Sequence, residues 1–119
     1  MGKKRPMKQM KKLKYKTSRT VVDIVQGPSD PWKVGKIVAG RKDVVKWKCK
    51  ANHSIYVMFP KAQTPLSGGR TEVSAVGSVA GDIASDAPKG FYSYTVLVQD
   101  PKGVFHSVEG NSPPEMVIQ

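Results

Sequence analysis

The residues best equipped for chemistry in this chain are its cations, and they are unevenly placed. Lys3, Lys4, Arg5, Lys8, Lys11, Lys12, Lys14, Lys16 and Arg19 fall within the first 20 residues with no acid among them, a charge of +9. Residues 21–119 carry only +2 of the net +11, so the basicity belongs to an arm. Such a set of ammonium and guanidinium groups neutralises phosphates or other anions and releases their counterions, which gives salt-sensitive, sequence-tolerant binding. A second set lies further on. Lys46, Lys48 and Lys50 alternate with Val45, Trp47 and Cys49, so on a strand the three amines share one face. That row is either a solvated surface that discourages edge pairing or, with the arm, one continuous anion-binding surface.

Other chemistries find little support. Cys49 is the single cysteine, which rules out a disulfide within the chain and a thiolate metal cluster, and its phase beside Val45 and Trp47 assigns it to the core. No Gly-x-Ser-x-Gly elbow, phosphate-binding glycine loop or His-Glu-x-x-His helix occurs, and a non-catalytic protein is expected. The first 30 residues lack the apolar centre of a signal peptide, and no run approaches the roughly 20 apolar residues of a membrane helix. The chain as written reads as cytoplasmic, or as exported if a preceding signal has been removed.

The elements that must position these side chains are strands. The chain has 119 residues, room for one domain, and is rich in Val with 11 Gly and 9 Pro interspersed, which favours many short strands over helices. Residues 1–19 read as a flexible basic arm with too few apolar side chains to offset ordering entropy, and residues 20–119 as the domain. Strands are expected at Val21–Val25, Trp32–Ala39, Val44–Cys49, Ile55–Phe59, Val73–Val76, Val79–Ile83, Phe91–Val98, Val104–Val108 and Met116–Ile118. Turn signals separate them: Gly27-Pro28-Ser29-Asp30-Pro31, Gly40-Arg41-Lys42-Asp43, a loop over 60–70, Ala87-Pro88-Lys89-Gly90 and Asp100-Pro101-Lys102-Gly103. Their spacing is that of an all-β Greek-key sandwich. Trp47, Tyr92 and Tyr94 take core phases, whereas Trp32, between Pro31 and Lys33, is expected to be partly exposed.

Three segments carry a family resemblance. Val38-Ala39-Gly40-Arg41-Lys42-Asp43-Val44-Val45-Lys46-Trp47 resembles the glycine turn and Val-x-Trp strand before the first copper histidine of the cupredoxins. Asn52-His53-Ser54-Ile55-Tyr56-Val57 resembles the histidine segment, and Gly90-Phe91-Tyr92-Ser93-Tyr94-Thr95-Val96 the Gly-x-Tyr-x-Tyr-x-Cys strand. The ending Gly110–Ile118 is similar to the last strand of cupredoxin-like domains, so the resemblance covers residues 20–119 and none of the arm. It implies a cupredoxin-like sandwich without its copper, because a blue-copper centre needs two imidazoles, a thiolate and an axial thioether, and valine stands at the thiolate position. It also implies a set of weaker metal candidates: His53 at the first histidine position, with His106 and Met116 near the second histidine and the methionine. Cys49 as a substitute thiolate, or His53 and His106 with Met58 or Met116 as a non-blue site, are alternatives to His53 as a polar residue at a strand entrance. The expected function is a copper-free, non-catalytic binding or interaction module without a cofactor. Its partner is a protein or a polyanion, nucleic acid included; non-blue metal binding or electron transfer is the third reading.

Overall fold

Period-two alternation of apolar and polar residues runs through most of this chain, and each such run folds as a strand with its apolar side inward. The computed structural model describes residues 19–26, 32–109 and 114–119. Eleven strands follow one another: β1 (Arg19–Gln26), β2 (Trp32–Val34), β3 (Ile37–Ala39), β4 (Val44–Lys48), β5 (Ser54–Met58), β6 (Glu72–Val76), β7 (Ser78–Asp82), β8 (Gly90–Ser93), β9 (Thr95–Gln99), β10 (Phe105–Glu109) and β11 (Glu115–Ile118). Two short 3-10 turns, Lys61–Gln63 and Ser67–Gly69, lie in the expected loop between β5 and β6. The domain is an all-β sandwich: an eight-stranded sheet in the order β6-β5-β9-β10-β2-β1-β4-β7 and a three-stranded sheet in the order β3-β11-β8. Trp47, Ile55, Val57, Val96 and Val98 from the large sheet and Ile37, Met116 and Ile118 from the small one are fully buried between them.

The large sheet curls on itself. β6 and β7 stand at opposite ends of its strand order, yet only Gly77 separates them in sequence. Gly77 has φ 81°, its N–H donates to the His53 carbonyl, and an added Cβ would sit 3.2 Å from the Ala51 carbonyl oxygen. Only glycine suits that corner.

Three strands depart from the expected boundaries, each for a tertiary reason. The run Trp32–Ala39 divides at Gly35-Lys36, which shifts the inward phase by one residue, so β2 joins the large sheet and β3 the small one. The run Phe91–Val98 divides at Tyr94, whose N–H donates to the Pro114 carbonyl, so that β8 and β9 also belong to different sheets. Tyr92, Tyr94, Val96 and Val98 all stay buried across that break, which is why alternation alone reads it as one strand. Finally, Arg19, assigned above to the arm, opens β1 opposite Val44. The remainder of the arm, with Lys3, Lys4, Arg5, Lys8, Lys11, Lys12, Lys14 and Lys16, lies outside the described residues.

Strand β1 serves two partners in turn. From Arg19↔Val44 to Asp23↔Lys48 it runs parallel to β4, and from Ile24↔Val34 to Gln26↔Trp32 it pairs antiparallel with β2. The ladder therefore forks after Asp23, and the chain beyond β4 diverges from β1 at Cys49 and Lys50.

Candidate functional site

One end of the sandwich gathers both histidines around Trp32. His53 directly precedes β5; its N–H donates to the Lys50 carbonyl, closing the turn from β4, and its ring is buried. His106 lies on the inward phase of β10, opposite Val98. Trp32, contributed by β2, has its ring centroid 5.4 Å from that of His53 and 5.8 Å from that of His106. The Lys50 Nζ sits 5.4 Å from the Trp32 ring centroid, within cation–π range. Trp32 is thus 3% exposed, against the partly exposed position expected, because β1 and β10 flank its strand and Lys50 covers its ring.

Each imidazole is held by a neighbouring oxygen. His53 Nδ1 lies 2.8 Å from Asn52 Oδ1 and His106 Nε2 lies 2.9 Å from Asp100 Oδ2, acceptors that assign the proton to Nδ1 of the first and Nε2 of the second. Asp100 also organises the β9–β10 hairpin, since its Oδ1 accepts from the backbone N–H groups of Lys102 at 2.9 Å and Val104 at 3.0 Å. The hydrogen bond from His106, followed by that from the Val104 amide, holds the Asp100 carboxyl below its usual range. The Trp32 indole N–H is buried without a hydrogen-bond partner among the described residues.

A blue-copper ligand set does not fit this arrangement. Val96 lies mid-strand opposite Val57, and His53 is four residues back along β5, about 13 Å away at strand rise. The register instead sets Gln99 against Ser54, so the residue that arrives beside His53 is Asp100. Met116 is fully buried in the small sheet between Ile37 and Tyr92, and Met58 is at the opposite end of β5, against Thr95. Cys49 is half-buried at the end of β4, and burial pushes its thiol pKa up. Among the described residues no three His, Cys, Asp or Glu side chains form a metal-holding group. The structure therefore unites His53 with His106 but brings neither Met58 nor Met116 to them. Trp32 and Asp100, which complete the cluster, were not singled out as site residues by sequence; Asp100 had a signal in its Asp-Pro-Lys-Gly turn.

The lysines of β4 occupy different surroundings. Lys46 is half-buried between Val21 of β1 and Ala80 of β7, whereas Lys48 is exposed between Asp23 and Ser78. Lys50 leaves the strand for the Trp32 ring. Where the β1–β4 ladder forks, Lys48 and Lys50 together line an opening of about 390 Å³ with Asp23, Ile24, Val25, Gln26 and Cys49. Tyr92 and Tyr94 are buried; Tyr94 accepts a hydrogen bond from Trp47 Nε1 at 3.3 Å and stacks on Phe59.

Comparison with solved structures finds copper(I) forms of two amicyanin mutants. One is a reduced proline-to-glycine mutant at pH 4, with a TM-score of 0.42 and 15% identity over 85% of this chain and 82% of that one. The other is a methionine-to-glutamine mutant, with a TM-score of 0.44 and 15% identity over 86% and 83%. At these scores the likeness concerns the general path of the chain and says nothing of copper or of role. No protein-family model and no curated protein matches this chain. Among the described residues no helix is long and apolar enough to cross a membrane.

Proposed function

We propose that this protein is a non-catalytic, copper-free binding module. The observation that carries the reading is the position of Val96, packed at 1% exposure in the centre of the core, about 13 Å by strand rise from the histidine that a thiolate there would need. The histidines are engaged instead with Trp32, Asn52 and Asp100. Copper(II) added to the full chain should give no intense blue charge-transfer band, and an intense band would overturn the reading.

A second reading, binding of a polyanion, is favoured by the joint lining of one opening by Lys48 and Lys50 on a chain whose first 20 residues carry +9. The full chain should then bind a nucleic acid or a sulfated glycan with an affinity that falls steeply as salt rises, because counterion release supplies most of the free energy. Failure to retain either at about 50 mM salt would remove it.

A further inference from the structure

We propose that the fork between β1 and the end of β4 is where this protein grips a phosphodiester of single-stranded nucleic acid. The inference rests on the polyanion reading and gives that reading a place and a ligand.

The opening exists because β1 exchanges partners. Its ladder with β4 stops at Asp23↔Lys48, and from Ile24 onward β1 pairs with β2 on its other side. The wedge left between the diverging chains is lined by Lys48 and by Lys50, whose ammonium rests 5.4 Å from the Trp32 ring centroid; the two are spaced two residues apart and thus roughly 7 Å at their Cα atoms. Val25, 54% exposed, supplies an apolar wall, and Ile24 before it is buried in the core. Ammonium groups beside an apolar wall suit a ligand in which an anionic group and a flat apolar face alternate. A single strand of nucleic acid offers both, since its unpaired bases leave their faces open, whereas a sulfated glycan has no comparable face to bury.

Two other lining residues make the site testable. Asp23 stands opposite Lys48 in the parallel ladder and also lines the opening, so its carboxylate opposes an incoming phosphate. Cys49, the single thiol of the chain, also lines the opening and is half-buried against the core between the two lysines in sequence. An occupied fork therefore covers Cys49. Lys46 does not line the opening and serves as the control.

The experiment measures binding of an oligothymidylate of about 20 nucleotides to the full chain by fluorescence anisotropy across a salt series, and in parallel the rate of maleimide labelling at Cys49. The doubly substituted Lys48→Ala/Lys50→Ala protein should bind at least several-fold more weakly, and its slope of log affinity against log salt should be shallower by about 1.4, at roughly 0.7 for each lost single-strand phosphate contact. Lys46→Ala should bind as the parent does, and Asp23→Asn more tightly. The oligonucleotide should slow Cys49 labelling in the parent and not in the double variant; unchanged thermal melts keep these comparisons on folded protein. If the oligonucleotide binds while the double substitution and the labelling rate show no effect, the fork is wrong and the polyanion reading survives. If heparin binds and protects Cys49 while the oligonucleotide does neither, the choice of nucleic acid is overturned. If neither polyanion binds, both the reading and the inference fall.

Discussion

Replacing Val96 by cysteine supplies the thiol that the resembled cupredoxin strand pattern carries and this chain lacks, and the register says that this will not create a blue-copper centre. Val96 faces Val57 across the β5–β9 ladder, and His53 precedes Val57 by four residues, which is about 13 Å at 3.3 Å per residue. Both side chains project inward from the same sheet, so this separation persists at their tips. A nitrogen and a sulfur bound to one metal at about 2.0 and 2.3 Å lie within roughly 4 Å of each other. Closing the gap requires β9 to slide by four residues against β5, which would draw Tyr94 and Val98 out of their buried positions. The assay uses Val96→Cys in a Cys49→Ser background, so that the new thiol is the only one. The Val96 change should cost about 1 kcal/mol, the scale of losing a methyl group in a packed core, and leave a cooperative melt. Copper(II) added at equimolar concentration should produce no intense blue band. A folded variant that turns intensely blue would refute the register argument and with it the copper-free reading of the fold.

Four further outcomes follow from particular contacts. Tyr94→Phe removes the acceptor of the buried Trp47 N–H and should cost about 1–3 kcal/mol in urea unfolding. The Tyr94 hydroxyl pKa is pushed up to about 12 from its ordinary 10.0, mainly by burial. Its contribution is complete below pH 10 and is lost as pH rises toward 12, so the parent should lose about 2–3 kcal/mol more than Tyr94→Phe over that interval. The Asp100 carboxyl is held below its usual range by His106 and the Val104 and Lys102 amides, so its stabilisation is present above pH 3.8 and lost as pH falls below it; thermal melts of Asp100→Asn should show a smaller acid drop than the parent. Gly81→Ala places a Cβ 2.9 Å from Leu66 Cδ2 and 3.5 Å from Trp47 Cζ3, and should lower stability by about 1–3 kcal/mol through overpacking.

Much of this architecture was legible from residue order. The alternation through Val45, Trp47, Ile55, Val57 and Phe59 identified inward faces because a strand presents successive side chains to opposite sides whatever its partners are. The turn residues marked most strand ends, because glycine, proline and aspartate favour the backbone geometries that end a ladder. The lack of a cysteine at Val96 was equally plain, since no arrangement in space gives a valine a thiolate.

What the sequence left open was which strand lies beside which. Pairing depends on hydrogen bonds between segments far apart in the chain, and period-two alternation is unchanged when a strand slides by two or four residues. Only the fold sets Asp100 rather than Val96 at the level of His53, and only the fold brings Trp32 between two histidines 53 residues apart. The fork that joins Lys48 and Lys50 to β1 arises in the same way: local sequence makes β1 a strand, and competition between β4 and β2 for its two halves decides where the sheet opens.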